Sequence, residues 1–103
     1  MAITERHIMR VNIDKWDDML ALEREFRKLE EEIGIASKKR WLRSMAGPLG
    51  GTNLIWERDW KSVGESEQAY ARMSEVPEIA NLVGKLKSCV SEMHHEYYQI
   101  GEV

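Results

Sequence analysis

The chain has one cysteine, Cys89, two prolines and one phenylalanine in 103 residues. A lone thiol closes no intrachain disulfide, so a fold stapled by bridges is excluded and a reducing compartment suits the chain. Basic excess is missing as well: 15 Lys and Arg stand against 18 Asp and Glu, a formal net charge of −3. A surface that neutralises a phosphate backbone needs the opposite balance, so no nucleic-acid partner is expected. No apolar run approaches the roughly 20 residues that span a bilayer. The first residues place Glu5 and Arg6 where a secretory signal needs its apolar stretch. The expectation is a cytoplasmic protein with no membrane partner.

What is present is ordinary for a folded protein. Hydrophobic residues make up 43% and charged residues 32% of the chain, too apolar for a disordered segment. The length predicts a single domain over 1–103 with one core.

Hydrophobic periodicity orders the elements. From His7 to Ile13 the residues alternate, Met9, Val11 and Ile13 against Ile8, Arg10 and Asn12, which predicts a strand with two different faces. Asp14 reads as the cap of a helix whose stripe is Met19, Leu22, Phe26, Leu29 and Ile33, stopping at Gly34. Glu23 with Arg27, and the run Glu30 to Glu32, read as its solvated side. A second strand is predicted across Lys39 to Met45 and a third across Asn53 to Trp60, with turn chemistry from Gly47 to Thr52 between them. In the third strand Leu54, Trp56, Arg58 and Trp60 share one face; Asn53, Ile55, Glu57 and Asp59 share the other. Ser62 and Glu65 have capping-box spacing, so a helix begins near Val63; it breaks at Val76 and Pro77 before a further apolar segment. A last strand covers Met93 to Ile100.

Strand, helix, strand, strand, helix, strand is the order of a ferredoxin-like α+β fold: a four-stranded antiparallel sheet with both helices on one face. The other face is then bare, with Ile8, Trp41 and Ile55 on or near it, and a second copy of the chain is the expected cover.

The stretch Asn53 to Ser62 resembles the third strand and following helix start of NIPSNAP-type proteins, members of the dimeric α/β-barrel superfamily. Gly47 to Gly51 before it, Glu75 to Glu78 after it, and the aromatic close Glu96, Tyr97 and Tyr98 fit the same pattern. The resemblance implies a homodimer of two sheets packed face to face, with a cleft between each sheet and its helices or in the barrel lumen. Relatives it implies include cofactor-independent oxygenases, isomerases, cyclases, haem-degrading enzymes and proteins without assigned activity. The haem-degrading pattern relies on an Asn, a Trp and a helix-borne His. Asn12 and Trp60 match it loosely and the second helix carries no histidine, so no cofactor is expected.

Three groups of residues are candidates for chemistry. On a strand His94 and Glu96 share a face and His95 points the opposite way. Positions i and i+2 lie ~6.8 Å apart, so the pair alone does not chelate an ion; without His7 or a partner's ligand no metal is expected. His94 is the better general base, since imidazole titrates near neutrality. Glu57 and Asp59 look toward the open face, opposite Arg10 and Asn12. They read either as a cross-strand ion pair or as a base with Arg10 and Asn12 holding an oxyanion, and the ion pair is preferred. Arg10, Asn12 and Trp41 are the ligand-binding candidates. Cys89, with no base beside it, reads as buried and inert. Two functions follow: a homodimeric small-molecule-binding or accessory protein, or a cofactor-independent monooxygenase, isomerase or cyclase acting on a small aromatic or enolisable compound.

Overall fold

A computed structural model describes residues 1–35 and 38–101. The elements are β1 (Ile3–Val11), α1 (Trp16–Glu32), β2 (Arg40–Arg43), β3 (Asn53–Trp60), α2 (Val63–Ser74), α3 (Glu78–Cys89) and β4 (Val90–Gln99). The four strands form one antiparallel sheet in the order β2-β3-β1-β4. This is the ferredoxin-like arrangement that the element order predicts. The second helical region divides in two at Pro77, which cannot donate to a continuing helix.

The helix ends follow local chemistry. Beyond α1, Gly34 adopts φ +80. Its N–H reaches the Glu31 carbonyl at 3.2 Å, and that of Ile35 reaches Glu30 at 3.0 Å. The two bonds close a Schellman motif and turn Ile35 into the core beside Ile33. Ser62 caps α2, its hydroxyl accepting from the Glu65 N–H at 3.1 Å. At the start of α1 the expectation fails: Asp14 sits at φ +66, one residue before the capping position, which Lys15 occupies. Asp17 and Asp18 supply the negative charge of the first turn instead.

Register decides which residues meet. Strand β1 begins at Ile3, four residues before the His7 start that the alternation around Met9 suggests. The shift is even, so each residue keeps its face while every partner changes. Glu57 stands opposite Arg6, and Asp59 opposite Thr4; Arg10 faces Asn53 instead. Strand β2 is four residues long and β4 starts at Val90.

Odd residues of β1 (Ile3, Glu5, His7, Met9, Val11) lie under the helices with Leu54, Trp56, Arg58 and Trp60. Met9, Val11, Leu54 and Trp56 pack with Met19, Leu22, Phe26, Leu29 and Leu82, while Ile3 and Trp60 pack with Ala69 and Met73. Trp41 belongs to this covered side, because its neighbour Arg40 pairs with the open-face Glu57. Leu42 takes the place expected of Trp41 in the open-face row Leu42, Ile55, Ile8 and His94.

Candidate functional site

Between the sheet and its helices lies a cleft of about 380 Å³, a volume within the range of small-molecule sites. Phe26 of α1, Met73 of α2 and Ile79, Val83 and Leu86 of α3 wall it. Met9, Trp56 and Met93 of the sheet form an apolar floor around His7. Tyr70, Lys39, Glu23 and Glu30 bring polar atoms to its edge.

The alternation of β1 puts Glu5 in the helix-facing row, where its side chain has no solvent exposure. Two donors and two histidines converge on it. Trp60 Nε1 donates to Oε1 at 2.8 Å, and the Tyr70 hydroxyl donates to Oε2 at 2.5 Å. His95 Nε2 lies 2.7 Å and His7 Nε2 3.6 Å from the same Oε2. Burial alone would raise the carboxyl pKa; the bonds from His7, Tyr70, Trp60 and His95 outweigh it and bring it down to about 2. Tyr70 is driven the opposite way, by burial and then by the Glu5 charge, and keeps its proton.

His7 is stacked on Trp56, with centroids 4.1 Å apart, and its other side meets the His95 ring at 4.2 Å. Burial lowers its pKa against the pull of Glu5. The cleft floor therefore carries a neutral imidazole at pH 7.

A second set of buried charges stands at the α1 side of the cleft. Arg58, whose side chain is 1% exposed, donates to Glu30 at 2.6 Å. Lys39 Nζ lies 3.1 Å from Glu30 and 3.7 Å from Glu23. The ammonium also sits 4.5 Å from the centre of the Trp56 ring and 5.4 Å from that of Trp41. Burial raises the Glu23 pKa against the pull of Lys39. Glu23 and Glu30 are thus interior residues, contrary to the solvated reading. The signal for them lay in β3: an arginine in the same row as Leu54, Trp56 and Trp60 is buried and demands an acid.

The residues singled out from the sequence do not gather in this cleft. His94 is 61% exposed on the open face, 3.8 Å from Glu92. Its neighbour His95 is the histidine that joins His7 and Glu5. Glu57 is closed by Arg6, whose Nε donates at 2.8 Å, and by Arg40. The Arg40 bond, followed by those of Arg6, holds its carboxyl below the ordinary range despite burial. The preferred ion pair is therefore present, with Arg6 and Arg40 in place of Arg10. Asp59 accepts from Thr4 Oγ1 at 2.7 Å. Asn12 donates to the Ser88 carbonyl at 3.3 Å and so ties β1 to the end of α3. Trp41 lines a separate hollow of about 150 Å³ with Leu20, Arg24 and Arg27. Cys89 is buried.

Among solved structures the chain is similar to a NIPSNAP family protein from Agrobacterium tumefaciens, with TM-score 0.83 and 16% identity over 99% of this chain and 95% of that one. An uncharacterised NIPSNAP domain protein from Burkholderia xenovorans superimposes with TM-score 0.80 and 9% identity, covering 96% and 94% of the two chains. SnoaB, a cofactor-independent oxygenase from Streptomyces nogalater, does so with TM-score 0.71 and 11% identity over 99% and 95%. No protein-family model and no curated protein matches the sequence. At identities this low the likeness shows the fold alone.

The Glu5 carboxyl gives the site a pH signature. Its folded pKa of about 2 lies below the ordinary 4.5, so its stabilisation is complete above 4.5 and is lost as pH falls toward 2. The difference is worth about 3 kcal/mol. His7, a base with a lowered pKa, makes stability fall earlier in the same descent, once pH drops below its ordinary 6.5. Urea unfolding from pH 7 to pH 2.5 should show both arms. Glu5→Gln should shrink the acid arm to the part that Glu57 contributes and lower stability at pH 7; an unchanged acid arm would contradict the role given to Glu5.

Proposed function

We propose that this protein is a homodimeric small-molecule-binding protein whose ligand, flat and largely apolar, occupies the cleft between sheet and helices. The cleft itself carries the reading: about 380 Å³ walled by Phe26, Met73, Ile79 and Leu86, with His7 on its floor and Tyr70, Lys39, Glu23 and Glu30 bringing polar atoms to its edge. Such a site suits an aromatic compound bearing a hydroxyl or carbonyl, its ring against Phe26 and its oxygen near the histidine or the ammonium.

A flat aromatic hydroxyl compound, 2-naphthol, should bind saturably at one molecule per chain. Val83 stands at the mouth of the cleft, 37% exposed, so Val83→Trp should block it without disturbing the core. Fluorescence titration that finds no saturable binding, or the same affinity in the variant, would sink the proposal.

The dimer covers the open sheet face. Leu42, Ile55 and Ile8 form an apolar row across it, beside the charged row Arg40, Glu57, Arg6 and Glu96, whose signs alternate from strand to strand. In this reading Glu57 and Asp59 serve the interface rather than catalysis. A standard interface buries ~1,600 Å². Sedimentation equilibrium at micromolar concentration should return twice the chain mass, and Ile55→Lys should return the monomer. A wild-type monomer would refute the assembly.

A catalytic reading is favoured by one observation, the neutral His7 at the cleft floor. Backed by Glu5, it has the arrangement of a general base for an enolisable or phenolic ligand, with Lys39 positioned near the developing oxyanion. SnoaB supports this reading to the extent that the same fold accommodates an oxygenase without a cofactor. Exchange of the α C–H of 2-tetralone, a flat aromatic ketone, for deuterium, followed by NMR, should slow at least tenfold in His7→Gln; equal rates would remove the base role.

A further inference from the structure

We propose that Glu5, His7 and His95 form a binding site for a divalent first-row transition ion, opening on the cleft. The strand pairing creates it. His7 and His95 are direct partners across β1 and β4, and Glu5 lies two residues before His7 on the same face. One carboxylate oxygen of Glu5 and one ring nitrogen of each histidine lie within 4.8 Å of one another. All three point to a common centre, because both imidazoles present Nε2 to Oε2 of Glu5, at 2.7 Å and 3.6 Å. A tetrahedral ion with bonds of ~2.05 Å separates its ligands by ~3.3 Å, which falls between these two distances. Small side-chain rotations suffice to admit the ion.

Two further features distinguish this group from a chance cluster. Glu5 is held in place by donors that are not ligands, Trp60 Nε1 and the Tyr70 hydroxyl. Such outer bonds fix ligating carboxylates in metal sites. The side chain of His95 is 42% exposed and offers an access route, while His7 lines the cleft and would turn any open position toward a ligand there. Two imidazoles and one carboxylate suit zinc, iron(II), cobalt(II) or nickel(II) and discriminate against magnesium and calcium. In the ion-free protein the hydrogen bond between His95 and Glu5 takes the place of the ion. Binding therefore releases protons and strengthens as pH rises. An ion on His7 occupies its lone pair, so the metal-loaded form is an alternative to the base-active one.

The site is independent of the cleft ligand and is measured with metal alone. The chelator-stripped chain, titrated with zinc chloride by calorimetry at pH 7.5, should bind one ion per chain with a Kd in the micromolar range or below. His95→Ala should weaken binding at least tenfold and keep the fold, since His95 is partly exposed. His94→Ala, which alters the adjacent histidine on the opposite face, should leave affinity unchanged. Cobalt(II) should report the same stoichiometry through d–d absorption that His95→Ala abolishes. Absence of saturable one-to-one binding would overturn the site, as would binding that survives His95→Ala or depends on His94. Val83→Trp tests the cleft separately, so failure of one proposal is distinguishable from failure of the other.

Discussion

A carboxylate with no solvent exposure at the centre of the sheet is the constraint from which the rest of the interior follows. An ionised group in that position is destabilising by several kcal/mol unless donors surround it. Glu5 is surrounded from three other elements: Trp60 of β3, Tyr70 of α2 and His95 of β4, with His7 of its own strand completing the set. The bonds work as position markers. Sliding β1 against β3 by two residues would part Glu5 from Trp60, and rotating α2 would withdraw Tyr70. The geometry of the cleft is therefore tied to the ionisation of one side chain.

The second charged set works in the same way at the other edge of the cleft. Arg58 and Lys39 lie inside the fold, and Glu23 and Glu30 of α1 answer them. Replacing such a network by apolar residues of similar volume is often neutral or stabilising, so stability alone does not account for it. Here it leaves an ammonium against the faces of Trp56, Trp41 and Phe26, a polar end on an otherwise apolar chamber.

Much of this architecture is legible from periodicity. The Asn53–Trp60 strand, the Ser62 cap, the break at Pro77 and the buried Cys89 all follow from local rules that tertiary contacts do not override. The site was less legible, because it depends on strand register. Alternation assigns a residue to a face and leaves its partner open: it suggests Arg10 as the cation opposite Glu57, and the register puts Arg6 there. The same freedom made His94 the natural choice of base, since choosing between two adjacent histidines requires knowing which face of the last strand is covered. Glu5 carried a readable signal, an acid in the row of Ile3, Met9 and Val11, had the strand been followed back past His7.

Of the two inner strands of the sheet, β1 is the first of the described elements in chain order, and one of its two neighbours, β4, is the last. On the ribosome β1 therefore waits, one edge unpaired, until residues 90–99 have emerged. During that interval Glu5 lacks His95, and burying it would strand a partly compensated charge. Pairing of this sequence separation slows folding and leaves a strand edge open to other chains.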